Sequence, residues 1–137
     1  MANEKYLATV HDAAEGGLGW STSTFKILLA TSAYTPDTSA SGDHYVSDIP
    51  GAAIIARSAA LTSKTNVGGT LDFGVATCSL VPSGSTIVYA ILYKDTGVDA
   101  TSPLLAKYDT GNGFPLDTDD QDVNIQTGPG PNFALTL

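Results

Sequence analysis

The sequence predicts a mainly β protein, a single antiparallel β-sandwich or barrel-like domain with a short N-terminal helix. Three observations carry this. Apolar residues recur with a period of two in several short runs from Phe25 onward, and turn-forming residues separate those runs at regular spacing. Only 15% of the residues are charged, and Thr, Ser, Gly and Ala dominate the remainder, which suits an assembled β-rich structural protein. At 137 residues the chain is long enough to bury a core without disulfide or metal. No repeat, low-complexity tract or linker divides it. It therefore reads as one domain over 1–137, with an N-terminal helical arm over 1–22 and the β-sandwich over 23–137.

In chain order, "NEKYLATVHDAA" places Tyr6, Val10, Ala13 and Ala14 at helical spacing. Asn3 is available as an N-cap and Gly16 with Gly17 as a stop, so the spacing predicts a helix over 3–14. The run "FKILLATS" is apolar on both faces and reads as a central strand. Pro36 sits at the second position of the turn "YTPD", which closes the strand and opens a polar, aperiodic loop to about Asp48. The segment "AAIIARSAALTSKT" fits a helix by its alanines and a strand by Ile54 and Ile55, and it is read as extended. "TLDFGVA" reads as a strand with Leu71, Phe73 and Val75 on one face. "TIVYAILYK" reads as another, with Ile87, Tyr89, Ile91 and Tyr93 opposite Val88, Ala90 and Leu92. After the loop "DTGVDATSP", "LLAKYDT" is placed to pair with it antiparallel. "DVNIQT", the turn "GPGP" and "NFALTL" close the chain, with Phe133, Leu135 and Leu137 alternating in a last strand.

Charge narrows the partners. The formal net charge is −8, and Lys5, Lys26, Arg57, Lys64, Lys94 and Lys107 are scattered. Phosphate backbones and anionic lipid demand a concentrated basic face, so neither nucleic acid nor membrane is expected as a partner. Cys78 is the only cysteine, which excludes an intrachain disulfide. The start of the chain lacks a signal-peptide pattern, and no apolar stretch approaches a membrane span, so a soluble protein made in the cytosol is expected. No asparagine begins an N-x-Ser/Thr acceptor, which is compatible with a bacterial or viral source.

The chain offers little chemistry to build on. His11 and His44 lack any zinc-ligand spacing, there is no G-x-S-x-G elbow, and Cys78 lies between an apolar strand and a proline turn. "GGLGW" and "GNGF" lack the strand-turn-helix context and the lysine of a phosphate loop. No catalytic residue, cofactor or enzymatic activity is expected. The one cluster to weigh is "DTDDQD": Asp117, Asp119 and Gln121 match the first positions of a calcium loop, with Asp120 and Asp122 beside them. Asp122 stands where that loop needs glycine, and no glutamate closes it. A solvated acidic loop is the plainer reading, and Asp117, Asp119 and Asp122 remain a weak calcium candidate. Asp95, Asp99 and Asp109 read as turn and strand-end residues.

The segments "STFKILLATSAYTPD" (23–37), "ARSAALTSKT" (56–65), "IVYAILYKDTGVDATSPLLAKYDTG" (87–111) and "NFALTL" together resemble a family of small virion proteins of tailed bacteriophages. Members of that family are thought to decorate or cement the capsid. The likeness covers most of the chain from Ser23 onward and is best in the hairpin 89–111; it departs in "GAAIIARSAALTS" and in the acidic "LDTDDQD". The resemblance implies a non-enzymatic virion protein on the capsid exterior, made in the host cytoplasm. It also implies the major capsid protein as partner and a homo-oligomer, with a trimer expected. An acidic surface fits the exterior better than an interior that faces packaged DNA.

Under that expectation the loop 35–48 is a candidate contact surface, containing Pro36 and His44, with Tyr34 and Tyr45 as its anchors. Alternatively both tyrosines cover the sandwich edge. Tyr6 lies on the predicted helix, which either reaches a neighbouring subunit or caps its own barrel. A tail, baseplate or neck subunit would share the same character. A carbohydrate-binding or host-adhesion module would use an exposed aromatic, and Trp20 in "GLGWS" is the stacking candidate, set against a core or helix-docking role.

Overall fold

The structure is a computed structural model that describes residues 4–8, 19–67, 70–109, 115–125 and 135–136. Its strands in chain order are β1 (Glu4–Lys5), β2 (Phe25–Ala30), β3 (Ile54–Arg57), β4 (Thr65–Val67), β5 (Thr70–Asp72) and β6 (Ala76–Cys78). They continue with β7 (Thr86–Ile87), β8 (Tyr89–Lys94), β9 (Leu104–Tyr108), β10 (Leu116–Asp117), β11 (Val123–Ile125) and β12 (Leu135–Thr136). The molecule is mainly β, built on a five-stranded antiparallel sheet in the order β1-β9-β8-β2-β3. The centre of that sheet is apolar on both faces because it is covered on both.

On one face Ile27, Leu29, Ala90, Leu92 and Leu105 meet Leu71, Phe73, Ala76, Cys78, Ile87, Val123 and Ile125 from the smaller sheets, which makes this side sheet packed on sheet. On the other, Leu28, Ala30, Ile91, Tyr93 and Leu104 meet Tyr6, Tyr34, Val46, Ile49 and Ala53. The second core is roofed by the chain between β2 and β3, which was expected to be an exposed loop. That segment holds two short 3-10 helices, Val46–Asp48 and Gly51–Ala53, and the Thr31 N–H donates to the Ala53 carbonyl across its ends.

The N-terminal helix is corrected at its start. Glu4–Lys5 is an edge strand that pairs with Lys107 and Ala106 of the main sheet, and the Tyr6 N–H donates to the Leu105 carbonyl. Tertiary pairing overrides local helical spacing here: the strand docks the ring of Tyr6 in the second core. No helix of seven or more residues is described. Val10, Ala13 and Ala14 lie outside the described residues.

Two other expectations change. The run 86–94 is not one strand with Ile87 on the Tyr89 side. It breaks at Val88, whose N–H donates to the Ala30 carbonyl, and Ile87 joins Ala90 and Leu92 in the first core. Leu71 and Phe73 are buried as expected, but Val75 is exposed, because the chain turns at Gly74, where the N–H bonds the Thr62 carbonyl. The hairpin of β8 with β9 forms as the sequence suggested, and Leu135–Thr136 pairs with β5. Leu137 lies outside the described residues.

Candidate functional site

The stretch 31–53 and the tip of the β8–β9 hairpin form one surface. Tyr45 bridges to Pro103, the Val46 N–H donates to Ser102 O at 2.9 Å, and the Leu104 N–H donates to His44 O at 2.8 Å. The loop is also tied internally. Asp43 accepts the Tyr34 hydroxyl at 2.7 Å and the Asp37 N–H at 3.0 Å, while its own N–H donates to Asp37 O. The Asp48 carboxylate accepts the His44 and Tyr45 N–H groups, which hold its pKa below the usual carboxylate value. A loop with this many partners for its backbone is a folded flap, not a free connection.

That arrangement redistributes the proposed anchors. Tyr6 and Tyr34 are buried, and their hydroxyls meet at 2.8 Å under the flap. Burial drives both phenols well above their ordinary pKa, and the Asp43 carboxylate beside them adds to the rise. Neither ring is available as a contact anchor, because each fills the second core. Trp20 is buried as well: its indole N–H donates to Thr65 O at 2.8 Å, and its ring lies 4.6 Å from that of Phe25. The Lys64 ammonium covers Phe25 at 5.1 Å and Trp20 at 5.7 Å, so the sugar-stacking position is closed by packing. Of the six aromatic, proline and histidine candidates, Pro36, His44 and Tyr45 keep exposed area, with the His44 and Tyr45 rings stacked at 4.0 Å.

The hairpin tip is held by charge. Arg57 of β3 makes a bidentate pair with Asp99 at 2.8 and 2.9 Å, and Lys26 of β2 pairs with Asp95 at 2.8 Å. The salt-bridging cations hold both carboxylates below their ordinary pKa. Thr96, Thr101 and Ser102 complete the tip with hydroxyl bonds among themselves and to Val98 O. Asp95 and Asp99, read as plain turn residues, are thus the latches that fix this tip against the main sheet. No sequence spacing announces a pair 42 residues apart.

The acidic segment 117–122 is occupied by the fold. The Thr86 hydroxyl donates to Asp117, the Ser83 N–H to Asp120 and the Leu80 N–H to Asp122, all at 2.8–2.9 Å. Asp119 accepts the Gln121 N–H. The carboxylates therefore point at separate backbone and hydroxyl donors instead of converging on one point. Among the described residues no group of three or more His, Cys, Asp or Glu side chains is placed to hold a metal ion. The Cys78 thiol is buried in the first core, and burial raises its pKa to about 11, which keeps it in the unreactive protonated form.

The sequence missed one buried ion pair. Lys107 and Asp109 bond at 2.9 Å, with both side chains out of solvent and the Lys107 ammonium 5.9 Å from the centre of the Tyr89 ring. Lys107 sits in an apolar strand, "LLAKY", and that position is the signal that could have found it.

The chain matches no protein-family model, and comparison with curated proteins finds no significant relative.

Proposed function

We propose that this chain is a non-enzymatic structural protein of a tailed-phage virion, a decoration or cement subunit that binds the outer face of the head and stabilises its lattice. The observation that carries the reading is how the resembling segments come together. Residues 23–37 and 87–111, far apart in sequence, supply β2, β8 and β9, the three central strands of the main sheet. Two of the four resembling segments thus fall on one structural unit, the main sheet with its latched hairpin tip.

The chemistry supports the same reading. The thiol, the acidic cluster and the buried tyrosines, which an enzyme could use, are each committed to holding the fold. A protein that must persist outside the cell gains from a rigid sheet with tied loops. A net charge of −8 favours the exterior of a particle over an interior filled with DNA. Under this reading the partner is the major capsid protein and the contact surface includes Pro36, His44 and Tyr45. The chain would assemble as a closed homo-oligomer, for which a trimer at a threefold position is the expectation. The principal alternative is a tail, baseplate or neck subunit. A sugar-binding module is disfavoured by the burial of Trp20.

Quantitative mass spectrometry of purified virions tests this. The expected result is one copy per major capsid subunit, or a simple fraction of it. A handful of copies per particle would assign the chain to the tail or neck, and its absence from virions would overturn the proposal.

A further inference from the structure

The two smaller strand pairs, β6 with β11 and β7 with β10, are the ends of one antiparallel ribbon. Cys78 faces Val123 and Thr86 faces Asp117, so the first strand takes eight steps where the second takes six. The ladder nonetheless continues between them through Val81 N–H to Gln121 O at 3.0 Å and Thr118 N–H to Ser85 O at 2.9 Å. The extra residues form an irregular bulge, and bulges re-aim side chains. Here the re-aimed residue is Leu80, which stands 70% exposed with φ +46°.

That placement is doubly unfavourable for the isolated chain. A left-handed backbone is costly for a bulky L-residue, and an isobutyl group in water gains nothing from burial. It is also firmly held. Val81 after it and Cys78 two residues before it are fully buried, and the Asp122 carboxylate accepts the Leu80 N–H at 2.8 Å. An outlier kept in place by its surroundings points to a role outside the fold. A rigid apolar side chain on an ordered base loses little freedom on docking, which is what an interface anchor requires.

The surroundings define the partner. The ribbon segments 76–87 and 115–125 carry Asp117, Asp119, Asp120 and Asp122 and no lysine or arginine. A second copy of this chain is a poor match, since Lys26, Arg57 and Lys107, half of its six cations, are already paired with its own aspartates. We infer that Leu80 is the anchor by which this ribbon docks into an apolar protein pocket with a basic rim. The assignment of that pocket to the capsid lattice rests on the function proposed above.

The test uses the full chain and capsids purified from the encoding phage after deletion of this gene. Co-sedimentation is measured for the unaltered chain, L80N and D119N, with thermal midpoints read in parallel. Asparagine tolerates the left-handed backbone, so L80N is expected to hold or raise the midpoint while binding falls at least tenfold. D119N is expected to weaken binding several-fold, and added salt to weaken the unaltered chain in the same direction. Undiminished binding by L80N would overturn the anchor and leave the virion reading standing. A lowered midpoint in L80N would also overturn it, by making Leu80 part of the core. Self-association of the unaltered chain that L80N abolishes would replace the basic-rimmed partner with a second copy. Failure of the unaltered chain to bind the capsids would remove both the lattice pocket and the proposed function.

Discussion

Gly42 lies where the flap folds back on itself, and a Cβ there would come within 2.3 Å of the Asp37 carbonyl oxygen and 2.4 Å of its carboxylate. Backbone, not a flexible side-chain end, is the obstacle, so the turn must open to admit even alanine. Gly42→Ala is expected to destabilise the protein by about 1–3 kcal/mol, the range for overpacked sites. Chemical denaturation checks this, and the loss should be accompanied by faster amide exchange at Asp43, whose N–H bonds Asp37 O. The glycine itself is plain in "SASGDHY", but nothing local says that it must pass against Asp37, five residues back. The same holds for the tyrosines. An aromatic in a polar loop gives no sign of which core it will enter, and Tyr34 went inside because Tyr6, 28 residues earlier, supplies its hydrogen-bond partner.

Strand β9 was legible as an element, being a short apolar run after a turn. Its one charged residue was not interpretable alone. Lys107 is tolerated in a buried strand because Asp109 returns along the same strand end to meet it. Removing one partner of a buried pair leaves a charge without its counter-ion, so Lys107→Met should cost about 3–5 kcal/mol. The double replacement Lys107→Met with Asp109→Leu should recover most of that loss. Comparing unfolding free energies around this cycle decides the matter, since independent single and double effects would show that the pair is not coupled. The ribbon of 76–87 with 115–125 shows the opposite limit. Thr86–Ile87 and Val123–Ile125 lay in runs read as strands, but 117–122 read as a solvated loop, and the bulge depends on Asp120 and Asp122 reaching Ser83 and Leu80, contacts 37 and 42 residues apart.

At the scale of the whole molecule, the titrating groups define a pH window. Asp48, Asp95 and Asp99 have folded pKa values below their ordinary 3.8. Their stabilisation is therefore present above pH 3.8 and is lost as the pH falls through the depressed values. Cys78, raised from 9.0 to about 11, and the buried Tyr6, Tyr34 and Tyr108, raised above 10.0, have the opposite sign. Their contribution is complete below the unfolded values and is lost as the pH rises through the folded ones. Thermal midpoints should show no loss from these groups between about pH 4 and 9 and should fall on both sides, acid weakening the flap and hairpin tip first. Hydrogen exchange at pH 3 should thus open 43–48 and 95–103 before the sheet. Uniform opening would show that the carboxylate latches do not govern acid stability.

Local pattern settles the strand-rich class, the central place of 25–30, the strand character of 89–94 and the hairpin that follows. These are local matters, because a period-two apolar run and its turn residues carry their own physical reason. Composition settles the acidic balance and the lack of a disulfide. Tertiary structure alone decided that 31–53 is a roof over a second core, that Glu4–Lys5 joins the main sheet, and that the acidic cluster brackets a bulge. Each of these rests on partners 28 or more residues apart, chosen by shape and hydrogen bonding once the sheet exists. No local pattern encodes such a choice, because the same tyrosine, glutamate or aspartate is equally at home in water until its partner arrives.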